Sequence, residues 1–461
     1  MRPKPATAAA LCLPLLALTL LATPAHATHA TPTPTPAPAS HATPVPAAHV
    51  PHPHPTLPAN DGWAAAGPGT TGGSAAAPAN VHVVSTRAEL VAALGGDNAT
   101  NKSNATPKVI HVRGTVDGFE SPDGTLLTCG DLADPEYSLD AYLAAYDPAV
   151  WGRVTPSGPL EQARVRSVAN QTRQTQINLG PNTTIVGLGG AVLTGLTLMA
   201  DGASNVIIRN ITFDDARDCF PAWSPTDGTD GNWNSQYDGI SVRRAENVWV
   251  DHNTFTDGDN PDSAQPIHFG RPYQVHDGGL DITHTASLVT VSFNRFTDHD
   301  KGMLIGSSNT VGPDVGRLKV TVHHNVFDGA LQRLPRVRFG QVDVYNNFYR
   351  LTGDYAYAIG VGVQSAVYAE NNAFVLADGA APEDLLYDWG GTAITEKGNR
   401  VGDSVWSLRS VSLLDVYNAA HEPDLGADAG WVPALRRGPV LPAAVVPLVT
   451  ALTAGADRLM I

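Results

Sequence analysis

Four blocks in the second half of the chain carry residues that could do chemistry together. Asp238 stands in QYDGI, Asp277 and Asp281 in HDGGLDIT, Lys301 in DHDKG, and Arg333, Arg336 and Arg338 in QRLPRVRFG. Three carboxylates brought to one place make an all-oxygen site of the kind Ca²⁺ accepts; uncompensated, they repel one another and raise each other's pKa. No Cys or paired His shares their spacing, which argues against a transition metal. The arginines alternate with Leu334, Val337 and Phe339. A guanidinium is a permanent cation with a planar fork that matches a carboxylate. Cations beside a Ca²⁺ site call for an anionic ligand held between them.

These residues lie far apart in sequence, so the elements around them must bring them together. After Thr183 the chain settles into short β-rich runs of one form: NVIIRNITF (205–213), NVWVDHNTF (247–255), LVTVSFNRF (288–296), KVTVHHNVF (319–327), VDVYNNFY (342–349) and VYAENNAF (367–374). Each ends in an aromatic residue, and five carry an Asn two positions earlier, at 253, 294, 325, 347 and 372. The Asn intervals are 41, 31, 22 and 25, a minimum length with loops added. A repeat of this kind, made of β-branched alternation, predicts an all-β stack of coils: a right-handed parallel β-helix, with the Asn residues hydrogen-bonded up the stack. A β-sandwich would give these endings only by coincidence, and leucine-rich repeats need a Leu spacing that is missing. A capping box at Thr86-Arg87-Ala88-Glu89 predicts a short N-terminal capping helix, and residues near 139–170 also look helical. On coils of about 22 residues, successive turns lie about 4.8 Å apart. Asp238, Asp277, Asp281 and Lys301 then fall on one strip of one sheet. Arg333 comes one residue out of phase and needs a bulge to join them.

The remaining chain sets the compartment and the partners. With 44 acidic against 29 basic residues and a net charge of −15, a nucleic-acid partner is not expected. Arg2 and Lys4 ahead of an apolar run at 8–22 and Ala25-His26-Ala27 read as a signal peptide over 1–27, and hence a secreted, extracellular protein without a membrane span. Residues 28–60 are rich in Pro, Thr, Ala and His and hold no charged or aromatic residue, so they read as an extended linker before a domain over 61–461. Cys129 and Cys219 survive export. Whether they pair or stay as two thiols is open at this point.

In sequence the blocks resemble those of the pectate lyases of polysaccharide lyase family 1, most of all the Bacillus-type bacterial members. AYDPAVWG (145–152), GPLEQARVRS (158–167), NTTIVGLG (182–189), the long block 205–240, VWVDHNTFTDG (248–258), HDGGLDIT, DHDKGMLIGSS (298–308) and QRLPRVRFGQV follow one another in the family's order. The resemblance implies a parallel β-helix and a Ca²⁺-dependent lyase acting on polygalacturonate, expected as a monomer. It implies that Asp238, Asp277 and Asp281 bind Ca²⁺, that Lys301 and Arg338 bind substrate carboxylate, and that Arg333 is the base. One departure is Asp343, where the family usually has His; a structural role is expected there. Asp251 and His252 are likewise expected as turn residues. Beyond about residue 380 the resemblance thins, and the C-terminal segment is expected to pack back over the helix.

The reaction so implied is β-elimination: a base removes the C5 proton of a uronate, and the 4-linked oxygen leaves. A pectin lyase would need no metal, so the aspartates and Lys301 disfavour it. A hydrolytic polygalacturonase wants paired acids around a water, and a non-catalytic adhesin needs no Arg and carboxylate cluster.

Overall fold

A computed structural model describes residues 56–377 and 379–459. The expected signal peptide, and the expected linker up to residue 55, lie outside the described residues. The packed chain starts slightly before Asp61: Leu57 is buried, and its amide donates to the Thr70 carbonyl at 2.8 Å.

The repeat runs form as strands, but each is two strands with a corner between them. Glu246–Asp251 and Thr254–Thr256 are one such pair, Ser287–Ser292 and Arg295–Thr297 the next. At each corner one residue turns left-handed: Asn210, His252, Phe293, His324, Asn346 and Asn371 have φ between 52° and 59°. For residues with a Cβ this costs roughly 1–2 kcal/mol each. The next residue holds the corner. The Asn253 amide and Nδ2 donate to Asn294 Oδ1 at 2.9 and 3.0 Å. Asn294 repeats this onto Asn325, Asn325 onto Asn347, and Asn347 onto Asn372. A further rung, Asn399, receives Asn372. It escaped the sequence pattern because Val401 stands where the other coils have an aromatic residue. In the coil before Asn253, Ile211 takes the place, and its amide donates to Asn253 Oδ1 at 3.1 Å.

Beside the ladder the run-ending aromatics stack inside the coils. Ring centroids from Phe213 through Phe255, Phe296, Phe327 and Tyr349 to Phe374 are 5.1, 4.7, 5.0, 4.9 and 4.4 Å apart. Alternate residues such as Val248 and Val250, Val289 and Val291, and Val320 and Val322 are fully buried in the same core. The architecture is a parallel β-helix with three long sheets of ten, ten and eight strands. Parallel pairing joins each coil to the next. The eight-stranded sheet runs from Gln176–Asn178 to Leu386–Trp389 and carries the site residues.

A helix closes the N-terminal end of the stack, another, Leu413–Ala420, packs on its last coils, and the first and last described segments run over one sheet. The helix Arg87–Leu94 caps the N-terminal coil with Leu90 and Leu94 buried. Thr86 accepts from the Glu89 amide as expected, while the Glu89 carboxylate reaches one residue further back, to the Ser85 amide. Leu139–Ala145, Pro148–Trp151 and Pro159–Thr175 form the other expected helices. Cys129 and Cys219 are disulfide-bonded, closing 90 residues of chain, which removes roughly 4 kcal/mol of unfolded-state entropy in the loop model. Residues 61–64 lie across the ten-stranded sheet that holds Ser287–Ser292 and Val320–His323, where Thr290 and Thr321 hydroxyls accept from the Ala64 and Trp63 amides. A Cβ at Gly62, whose φ is 77°, would lie 2.6 Å from Thr290 Oγ1.

The C-terminal tail returns over the coils, as expected. Trp431 Nε1 donates to the Ala366 carbonyl, Asn346 pairs with Leu441, and the Asp457 amide reaches Asn210 Oδ1. On this path Arg436 donates to both oxygens of buried Asp343, at 2.6 and 2.8 Å, and to Glu370. Asp343 is therefore a structural anchor whose counter-ion comes from the tail. Asp251 is structural too, accepting from Arg209 and Ser292 beside the corner residue His252.

Asn325→Ala takes the shared acceptor from the Asn294 amide and Nδ2, and the Nδ2 donor from Val291 on the coil before, His323 on its own coil and Asn347 on the coil after, all in a dry interior. The expected loss is about 3 kcal/mol or more, read from the urea midpoint. An unchanged midpoint would mean that the ladder adds nothing to stability.

Candidate active site

The eight-stranded sheet delivers the site residues in successive coils. Ser241 pairs with Asp281, and Ile282 with Ile305, which in turn pairs with Val337. Gly278, Lys301 and Gln332 are bridged in one row. Arg333 is thus one residue past the row, as its spacing required. Its backbone is left-handed, with φ 58°, and this bulge turns the side chain back toward the aspartates. Arg333 donates to Asp277 Oδ1 at 3.0 Å, and Lys301 Nζ lies 3.9 Å from the same oxygen.

Asp238, Asp277 and Asp281 converge, each offering an oxygen within 4.8 Å of the others. Asp238 and Asp281 are buried and Asp277 half-buried. Each buried carboxylate is aimed by a backbone amide: Gly278 donates to Asp238 and Leu304 to Asp281, both at 3.0 Å. A Cβ on Gly278 would lie 2.2 Å from Asp281 Oδ1, so glycine there leaves room for the cluster. Burial, then the neighbouring carboxylates, raise Asp238 well above the usual range. The same causes push Asp281 up to about 7, against the opposing pull of Arg333. For Arg333 burial acts downward, but Asp277 and Asp281 outweigh it and hold the guanidinium above its ordinary value.

The cations are held as firmly as the acids. Lys301 Nζ donates to the His276 carbonyl at 3.0 Å and to Gln274 Oε1 at 3.4 Å. Arg338 donates to Asn309 Oδ1 at 2.6 Å and to the Gly306 carbonyl at 2.7 Å. Burial, then Arg336 and Arg333, bring its pKa down to about 10. All six expected site residues therefore lie on adjoining coils, and the aspartates, Lys301 and Arg333 meet directly. Arg336 packs over Trp389, 3.8 Å from the ring centroid.

Sequence reasoning missed the residues that hold these in place. His276 is the chief one: Nε2 bonds Asp215 at 2.9 Å and Nδ1 bonds Asp262 at 3.2 Å. Burial lowers its pKa, but Asp215 and Asp262 outweigh this and raise it to about 9. Asp262 also accepts from the Val275 and His276 amides, fixing the backbone that presents Asp277. The signal was His276's place beside Asp277 in the HDG block; the acids come from loops with no repeat phase.

Comparisons with known proteins identify the family. The pectate lyase family profile matches residues 154–404. A pectate lyase of Bacillus subtilis is 44% identical over 388 residues, covering 83% of this chain and 88% of that one. The chain belongs to the pectate lyase family. Pectate lyase E of Dickeya dadantii is 32% identical over 380 residues, covering 79% of this chain and 81% of the other. Among solved structures, the thermostable pectate lyase PL 47 superposes with a TM-score of 0.86 at 44% identity, over 88% of this chain and 99% of that one. A pectate lyase bound to a hexasaccharide matches at 0.82 and 42% identity, with the same coverage. The protein is an enzyme, a polysaccharide lyase. Among the described residues no helix is long and apolar enough to cross a membrane.

The raised carboxyls set a pH dependence for cation binding. Below about pH 7 Asp281 keeps its proton, and a divalent cation must displace it. Affinity should therefore rise with pH through about 7, by up to roughly tenfold per pH unit for each proton released, and level off only once Asp238 has lost its proton as well. Calorimetric titration with CaCl₂ at several pH values reads this directly; a pH-independent Kd would contradict it.

Proposed function

We propose that this pectate lyase is exported and cleaves (1→4)-α-D-galacturonan by Ca²⁺-dependent β-elimination, with Arg333 as the base. The observation that carries the reading is the convergence of three aspartates on one point with Arg333 bonded to one of them. Ca²⁺ holds oxygen ligands at about 2.3–2.6 Å, so ligands on opposite sides of one ion are about 5 Å apart. Oxygens within 4.8 Å of one another fit that span, and the cluster holds no nitrogen or sulfur ligand. Asp238, Asp277 and Asp281 would hold the ion. When bound, it draws electron density from a coordinated uronate carboxylate, which makes the C5 proton more acidic.

The chain's own residues supply the rest. Lys301 and Arg338 hold the substrate carboxylate as charge develops on it. Arg333 takes the C5 proton, the C5–H pair forms the C4–C5 double bond, and the 4-linked oxygen departs and takes a proton from water, leaving a 4,5-unsaturated end. An arginine base is awkward, because its solution pKa exceeds about 12. Here Asp277 and Asp281 keep it protonated. Once those carboxylates are neutralised, burial and the neighbouring cations favour the neutral guanidine. Arg333 Nε is buried without a hydrogen-bond partner, so little else stabilises the charged form. Export rests on the N-terminal sequence pattern.

Incubation with polygalacturonate should give ultraviolet absorbance from the unsaturated product, and chelator should abolish it. New reducing ends without absorbance would mean hydrolysis, and absorbance that survives chelation would remove the metal. Arg333→Lys should lower kcat by about 10² or more with the fold intact, in line with loss of a general base; wild-type rates would remove Arg333 from that role.

A further inference from the structure

Away from the aspartate strip, the loops that lead into Asp238 and Asp277 build a second concave site. Its wall is a small core of its own, in which Tyr142, Tyr146, Trp223, Trp233 and Tyr273 are buried together. Against this core stands a hairpin, with Ile267 paired to Pro272 and His268 to Arg271. Its two-residue tip is Phe269-Gly270, with φ of 53° and 77°. Left-handed backbone suits such a tip, but a phenylalanine there is strained and must be held by its surroundings. Phe269 stacks on Trp233 at 5.4 Å and meets Trp223 edge-on at 5.1 Å.

The hairpin lines a cavity of about 440 Å³ together with Arg153, Trp223 and Asp230. Arg271 lines it too, half-buried, and among the described residues its side chain has neither an ion pair nor a hydrogen bond; its Nε is buried and unmet. The Trp223 indole N–H, on a ring 3% exposed, also lacks a partner. Arg153 is fixed by the carbonyls of Gly228 and Thr229, which leaves it as a second positioned cation. A buried guanidinium N–H without a partner is costly, and an anion with a planar fork is a ligand that satisfies it. Aromatic faces beside it suit a sugar ring. Gln274, which accepts from Lys301, follows Arg271 by three residues, a span of at most about 11 Å.

We propose that this groove is an auxiliary subsite for a carboxylated sugar, binding a uronate of the same polygalacturonate chain outside the cleavage site. Arg271 and Arg153 take the carboxylate, Phe269, backed by the buried Trp223, faces the ring, and Asp230 accepts from hydroxyls. The identity of the sugar rests on the substrate reading above; the groove itself does not use the three aspartates.

The test is calorimetric titration of the full enzyme with hexagalacturonate in chelator, where turnover is not read. Wild type should bind, Arg271→Ala should bind roughly tenfold more weakly, and Arg153→Ala should also weaken binding. Arg271→Lys should recover part of the loss, which separates a lost charge from a damaged fold. On polygalacturonate with Ca²⁺, Arg271→Ala should raise KM with little change in kcat. No binding by the wild type, equal binding by both alanine variants, or equal binding of neutral maltohexaose would overturn the subsite, as would a fall in kcat at constant KM. Binding through the groove by a protein that releases no unsaturated product would support the subsite while removing the elimination.

Discussion

The Asn ladder fixes the position of each coil over the next, and the site depends on that register. A parallel strand pair can slip, and a slip of one residue would turn every outward carboxylate inward. The ladder resists this because each Asn uses its amide, Nδ2 and Oδ1 at once. Asn325, for example, donates to Val291, His323 and Asn347 while accepting twice from Asn294. In a dry interior each of these bonds is strong, and each is expensive to leave unmade. The left-handed residue before each Asn is the cost of turning sharply enough to repeat the bond in every coil. With the stack so fixed, Asp281 falls beneath Leu304 and Arg336 without any contact among their side chains being needed to put it there.

Much of the fold was legible because it is periodic. Five ladder positions, six stacked aromatics and the strip holding Asp238, Asp277, Asp281 and Lys301 follow from counting between Asn residues. The count also exposed its own defect at Arg333, and the structure answers with a left-handed bulge after Gln332. What periodicity cannot reach are the insertions. Asp215, Asp262, Trp223, Trp233 and Arg271 lie in loops between coils, where no phase relates them. Their contacts were invisible until the chain was folded. Asn399 was missed for a smaller reason, since its coil keeps the ladder but drops the aromatic.

The insertions and the coils divide the work of the site. The coils place each carboxylate to within the spacing of strands. The loops set orientation: Asp262 ties the Val275 and His276 amides, the His276 carbonyl holds Lys301, and Asn309 holds Arg338. Side chains clamped this way lose little freedom when a ligand arrives, so less of the binding energy is spent on ordering them. The same loops form the aromatic wall of the groove at Arg271.

The acidic balance of the chain poses a problem for any reading in which the substrate is a polyanion. A net charge of −15 spread evenly would repel polygalacturonate. The relevant field is local, however, and exposed charges more than about 10 Å away are largely screened by salt. Within that range the balance turns on three aspartates. Left bare, they oppose Lys301, Arg333 and Arg338, and they keep Arg333 protonated through Asp277 and Asp281. Covered by a divalent cation, they cease to repel, and the same change relieves Arg333 of the influence that holds its proton. Asp277 is the shared group, bonded to Arg333 at 3.0 Å and part of the cluster that would hold the ion. On the proposed mechanism, reversal of the field at the strip and release of the base are therefore one event. Chelation should then weaken substrate binding as well as turnover.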